Sequence, residues 1–185
     1  NMLAPVPAAI ITTSDGEGHT DMMTAAWVGT VCSDPVMVSV SVRPSRLTHD
    51  YLEKTGEFVI NLTTAELCLA TDYCGVRSGR DVDKWKDMNL TRLPGTQVKV
   101  PMVAESPVNI ECRVTEKKAL GTHNMFLAKV LAVHADEKYM DERGTFRLDR
   151  AKPLVYSHGR YYSVGKEIGK FGYSVQKKKS SKKFR

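Results

Sequence analysis

Apolar and polar residues alternate most cleanly in the stretch where Val36, Val38, Val40 and Val42 are separated by Met37, Ser39 and Ser41. A period of two places the valines on one face of a strand and the serines on the other, and Arg43 continues the serine face. Pro44 ends the strand by removing a backbone donor, and Ser45 is placed as the N-cap of a helix running through Leu47, Tyr51 and Leu52. Upstream, residues 8–13 read as a short apolar strand, and Asp15-Gly16-Glu17-Gly18 supplies the chemistry of a hairpin turn. Residues 22–32 form a long return strand of small and apolar residues, in which Gly29 marks a bulge or a close backbone approach. Ala25 and Ala26 leave room there for something flat.

Further along, residues 57–62 read as a short central strand. Thr64 is placed to cap a helix whose apolar face is Ala65, Cys68, Leu69 and Tyr73, ending near Gly75. Residues 77–85 are a polar, glycine-containing loop. Two longer strands, 108–116 and 124–135, are joined around residues 119–123, and their valines favour strand over helix. Residues 139–146 look irregular or briefly helical, and 154–157 and 160–165 are the last strand-like pieces. Many short antiparallel strands with two or three corner helices predict a mainly β chain, a barrel rather than a wound αβ sheet.

At 185 residues, with 42% hydrophobic and 26% charged residues, the chain suits one domain, expected over residues 1–170 and followed by a basic tail at 171–185. The formal charge of +6 owes much to the last nine residues, which hold six of the 27 basic side chains and none of the acidic ones. The remainder is balanced, so composition demands no nucleic-acid surface; the tail reads as a solubilising end, with RNA binding as the minor alternative. No run of eighteen apolar residues appears and the N-terminus lacks the order of a signal peptide, so a cytoplasmic protein without a membrane segment is expected. Cys32, Cys68, Cys74 and Cys112 show no zinc spacing, and no metal is expected. Cys32 and Cys112 read as buried thiols, and Cys74, before Gly75, as the one placed to line a pocket.

The chemistry concentrates at the strand-to-helix corner. Arg43 and Arg46 carry planar forks that can hold a phosphate bidentately, beside Ser41, Thr48 and the free amides of a helix N-terminus. The plainer reading is a corner with two solvated arginines. There is no dinucleotide glycine fingerprint, no phosphate loop of the nucleoside triphosphatases and no hydrolase elbow. Among five dispersed histidines only His123 stands out, in a glycine hairpin facing the small-residue strand. An anion seat beside a flat slot suits a phosphorylated aromatic cofactor.

Six blocks then appear in order: Met23-Thr24-Ala25-Ala26-Trp27, the corner from Ser41 to Thr48, Phe58-Val59-Ile60-Asn61, the loop from Ser78 to Trp85, Leu120-Gly121-Thr122-His123, and Gly159-Arg160-Tyr161-Tyr162. Together they resemble the flavin reductase-like family, and within it the flavoredoxin branch, from about Pro5 to Gly165. The resemblance implies an FMN-binding split β-barrel, Greek-key-like, with a few flanking helices, that forms a homodimer with flavin near the subunit interface. It implies phosphate at Arg43, Arg46 and Thr48, with Ser41, Ser78 and Lys84 as further contacts. The backbone of Thr24, Ala25, Ala26 and Trp27 would lie along the isoalloxazine, with Cys74 at the pocket wall. His123 matches a catalytic-side histidine near the nicotinamide. Asp21 stands where relatives often carry asparagine, and is expected to point outward.

Two functions follow. One is a flavin reductase that takes hydride from NADH or NADPH and passes electrons on to oxygen, free flavin or a partner. The alternative is a flavoredoxin-type FMN electron carrier that exchanges electrons with a redox partner protein and uses pyridine nucleotide poorly.

Overall fold

The alternation at the valines is realised in the computed structural model, which describes residues 2–176: Val38, Val40 and Val42 are buried while Ser39 and Ser41 are not. In chain order the elements are β1 (Val6–Pro7), β2 (Ala9–Ser14), β3 (Thr20–Ala25), β4 (Val28–Ser33), β5 (Val36–Val42), α1 (Leu47–Thr55), β6 (Glu57–Leu62), α2 (Cys68–Val76), α3 (Lys84–Asp87), β7 (Arg92–Leu93), β8 (Met102–Val103), β9 (Val108–Ala119), β10 (Asn124–Ala135), β11 (Leu154–Ser157) and β12 (Arg160–Ser163). Short 3₁₀ turns fill some of the connections.

Seven strands make one antiparallel sheet in the order β3-β2-β6-β9-β10-β5-β4, and β1-β11-β12 form a small sheet beside it. In a flat sheet β3 and β4, at opposite edges, would lie about 29 Å apart at ~4.8 Å per strand. Only Ala26 and Trp27 connect them, and the chain from Ala25 to Val28 reaches at most about 11 Å. The sheet must therefore curl until its edges meet, and there the Ser41 N–H donates to the Trp27 carbonyl at 2.9 Å. No ladder joins β3 to β4, so the barrel is split along that seam. The fold is the mainly β split barrel that the sequence predicts.

Inside the barrel, Ile11, Val40, Val42, Phe58 and Phe126 are nearly or wholly removed from water. Each such side chain contributes roughly 1.5–3 kcal/mol. A second cluster of Ile10, Met22, Cys74, Trp85 and Val103 packs α2 and α3 against the outer face of β2 and β3. Two buried polar knots fix the rest. Asn61 donates to the Ile10 carbonyl and accepts from the Val103 N–H and from Asn109, at 2.9, 2.9 and 2.8 Å. Glu111, fully buried, accepts from the backbone of Thr96, Gln97 and Val98 and holds that loop over β6 and β9.

Several local expectations are corrected. The return strand breaks at Ala26–Trp27, not at Gly29: Gly29 pairs with Ser39 in β4, where a β-carbon would meet nothing within 4 Å, and the irregularity falls between Thr30 and Cys32. The residue before α1 is Arg46, one after Ser45, with no side-chain cap; at the other end Gly56 takes φ 65°, its N–H bonded to the Leu52 carbonyl. Thr64 precedes a 3₁₀ turn that runs into α2 without a side-chain cap. The polar loop hides α3, whose N-cap Asp83 accepts the N–H groups of Trp85 and Lys86. Cys32 is partly exposed, whereas Cys112 is buried as expected. Among the described residues no helix is long and apolar enough to cross a membrane. Of the expected tail, residues 177–185 lie outside the described residues.

Candidate functional site

The seam places the corner and the small-residue strand against each other. Alternation along β5 puts Ser41 on the same side as Arg43, and the pairing of Asn124 with Val42 brings His123 level with Arg43. Met23, Thr24, Ala25, Ala26 and Trp27 complete the wall of a cavity of about 130 Å³ lined also by Ser41, Arg43, Arg46 and His123. Among the described residues no backbone carbonyl accepts the N–H of Ala26 or Trp27. These donors border the cavity, and an acceptor-rich ring edge satisfies such groups.

Electrostatically the cavity is cationic. Among the described residues neither Arg43 nor Arg46 has a carboxylate within ion-pair distance. Arg46 spends one Nη2–H on the Gly75 carbonyl at 2.6 Å, which fixes its fork beside the end of α2. Burial, and after it the charge of Arg43, pushes the His123 imidazole below its usual 6.5, which favours its neutral form. Its Nδ1 lies 2.9 Å from the Thr122 hydroxyl.

Across Thr24, Ala26 and Trp27 the cavity adjoins a chamber of about 390 Å³ walled by Gly75, Val76, Tyr156 and Tyr161. Tyr156 and Tyr161 meet edge to face at 5.8 Å. Burial, then the neighbouring Asp72 carboxylate, pushes the Tyr161 hydroxyl up to about 12. The smaller cavity alone falls short of the ~300–1,000 Å³ of small-molecule sites, while the two together lie within it. A slot with alanine walls, open donors and two unneutralised guanidiniums fits a planar ring system that ends in a phosphate.

Other expected residues sit elsewhere. Asp21 does not point outward: it is 4% exposed, and its carboxylate accepts from the Thr48 hydroxyl at 2.7 Å and from the Lys84 ammonium at 3.2 Å. Thr48 and Lys84 are thus turned toward Asp21, and Lys84 also donates to the Met22 carbonyl. Lys84 borders a different cavity, of about 470 Å³, with Gly79 and Arg80. Ser78 is half-buried in the loop, its Oγ accepting the Arg80 N–H at 3.2 Å. Cys74 does not line a pocket: α2 turns it into the second core cluster, fully buried, and burial pushes its thiol up to about 12. Gly75, Val76, Tyr156 and Tyr161 were not foreseen as wall residues, although Tyr161 lies in one of the six blocks.

The "Flavin reductase like domain" matches residues 2–165. An uncharacterized protein of Pyrococcus abyssi (strain GE5 / Orsay) is 37% identical over 131 residues, 71% of this chain and 74% of that one. The structure of the flavoredoxin of Desulfovibrio vulgaris (Miyazaki F) superposes with a TM-score of 0.88 at 28% identity, covering 95% of this chain and 96% of that chain. The NADH-dependent FMN reductase AsuE2 of Streptomyces nodosus subsp. asukaensis is 26% identical over 162 residues, 88% of this chain and 80% of its own length.

Proposed function

The chain belongs to the flavin reductase-like domain family, and on that premise we propose that it is an oxidoreductase that binds FMN in the seam, takes hydride from NADH or NADPH and passes electrons to an acceptor. The observation that carries this reading is the convergence of Arg43, Arg46, Ser41 and His123 with the backbone of residues 24–27 on one cavity. Bound flavin would supply the hydride- and electron-transfer chemistry. The protein's part is orientation. Arg43 and Arg46, with the Ser41 hydroxyl, grip the phosphate; the N–H groups of Ala26 and Trp27 hold the polar edge of the ring; Trp27 shields it from water. Neutral His123 gives the nicotinamide a polar wall without adding positive charge.

The second reading, an FMN electron carrier, draws support from the 0.88 superposition on a flavoredoxin. Anaerobic addition of NADH, then NADPH, to the FMN-loaded protein separates the two. Bleaching of the flavin bands within the mixing time of a stopped-flow experiment supports the reductase. Yellow protein that resists both nucleotides and bleaches only with dithionite overturns it in favour of the carrier.

We further propose a homodimer that covers the seam. Trp27, in the connection between β3 and β4, Val31 and Val36, on β4 and β5, and Leu120, in the hairpin bearing His123, are 38–51% exposed. Covering them with a second copy removes apolar surface from water. Light scattering of the purified protein reads the mass directly, and a monomer at micromolar concentration overturns this part.

A further inference from the structure

The hairpin that carries His123 reaches past the barrel with little to hold it. Residues 117–122 are exposed, and Gly121, at φ 84°, turns the chain back where the Leu120 N–H donates to the His123 carbonyl at 2.9 Å. Among the described residues two side-chain hydrogen bonds tie residues 116–125 to another element, and both reach α1: Lys117 Nζ lies 2.9 Å from Glu53, and Asn124 Nδ2 lies 2.8 Å from His49 Nε2. The first is an exposed ion pair, which water and salt weaken. The second is sheltered. His49 is 8% exposed, and its ring meets Phe126 edge to face at 5.5 Å. The carboxylates of Asp50 and Glu53, 3.9 and 3.5 Å from its ring nitrogens, are themselves engaged by Arg80 and Lys117.

Asn124 and Phe126 stand two apart on β10 and so share one face, the inner one, where Phe126 and Leu52 of α1 belong to the same core. One imidazole therefore grips two successive inward side chains, which stops the end of the strand from turning about its own axis. His123, one residue earlier, borders the seam cavity with Arg43, and His49 is not among the residues lining that cavity. We propose that His49 is a positioning residue for His123: through Asn124 it fixes the direction in which the hairpin presents the His123 imidazole to the seam. The inference rests on the reductase reading above, in which that imidazole faces the nicotinamide. With the Asn124 amide as donor, His49 Nε2 is the acceptor and the ring proton sits on Nδ1. What the hairpin requires at this point is an acceptor of the right reach.

Hydrogen–deuterium exchange of the flavin-free protein reads the hairpin without any turnover. His49→Leu keeps apolar bulk over Phe126 and removes the acceptor; it is expected to speed exchange of the amides of residues 119–124 about tenfold, the loss of one sheltered hydrogen bond, and to leave the rest of β9 and β10 unchanged. In steady-state assays with FMN it should raise the KM for NADH as His123→Asn does, with kcat and FMN affinity within about twofold of wild type. His49→Gln, whose Oε1 can accept from the Asn124 amide, is expected to restore both readings. Added to His123→Asn, His49→Leu should cost nothing further in KM, because the side chain it positions is gone. If His49→Leu fails to fold, Asn124→Ala removes the same contact from the hairpin side and decides alone. Unchanged hairpin exchange, or KM losses that multiply in the double variant, overturns the proposal. A wild-type protein whose flavin neither NADH nor NADPH reduces would instead overturn the reductase reading beneath it, while the exchange rates still decide whether His49 holds the hairpin.

Discussion

Replacing Arg43 and Arg46 by alanine strips from the seam its two guanidiniums that no carboxylate among the described residues neutralises. A hydrogen bond to a charged group is worth about 1.5–3 kcal/mol, which is about ten- to a hundredfold in a dissociation constant. The structure divides that range. Arg43 is exposed and its contact screened, so Arg43→Ala belongs at the low end, about tenfold. Arg46 is half-buried and braced by the Gly75 carbonyl at 2.6 Å, so less freedom is lost when it grips an anion, and Arg46→Ala belongs nearer the high end. Arg46→Lys keeps the charge without the planar fork and should fall between wild type and alanine. In the proposed seat both side chains share one phosphate, so the double variant should weaken FMN about a hundredfold or more but by less than the product of the singles. Flavin fluorescence titration reads each value, with riboflavin as the control that has the ring and lacks the phosphate. Riboflavin affinity should hardly move. Equal losses for both flavins would mean that the slot itself had collapsed, and unchanged FMN affinity would remove the anion seat altogether.

Other consequences are as direct. For Glu111, burial pushes the carboxyl up, but hydrogen bonds from Thr96, Gln97 and His134 outweigh it and hold the group at about 2 against an ordinary 4.5. A depressed acid stabilises the fold fully above its unfolded value and loses that contribution as pH falls through the folded one; the full shift is worth about 3 kcal/mol. Urea midpoints of wild type and Glu111→Gln should therefore stand apart at pH 7 and converge between pH 4.5 and 2, and a gap independent of pH would refute this. Asn61→Ala leaves the Val103 N–H without its acceptor and removes one of the two acceptors of the Asn109 amide, which at ~1–3 kcal/mol each should cost about 2–5 kcal/mol in urea unfolding. A loss under about 1 kcal/mol would show that the knot is not what orients that loop. His123→Asn should raise the KM for NADH while leaving FMN affinity close to wild type; a parallel loss of both would make the histidine part of the flavin seat.

What could be read from the sequence follows from how each feature is encoded. The strand β5 announces itself because it is buried on one face only, so its valines and serines alternate, and Arg43 inherits its direction from that register. The boundary between β3 and β4 does not, because residues on both sides of it are small and apolar and nothing local interrupts the run. Only the order of strands in the sheet requires a break at Ala26–Trp27. The paired strands β1, β7 and β8 are two residues each, too short for any periodicity to register. The inward turn of Asp21 is hidden from the sequence for a different reason. Polar residues on a strand normally face water, and the partner that reverses this, Lys84, is 63 positions away in a loop whose fold the local pattern does not specify.

The joint at Ala26 and Trp27 connects fold and site. A seven-stranded sheet whose first and last strands are sequence neighbours must close, yet two residues running from one edge to the other cannot also pair as a ladder. The barrel is closed in topology and open in hydrogen bonding at the same place. Backbone donors that a regular sheet would satisfy are left facing a cavity, where the small side chains of Ala25 and Ala26 leave room for a flat ligand. The corner after β5 reaches this gap because β5 pairs with the strand that leaves it, and the Ser41 N–H bonds the Trp27 carbonyl. The guanidiniums therefore stand at the end of the slot as a consequence of strand order, and a ring held by the gap has its charged tail directed toward them.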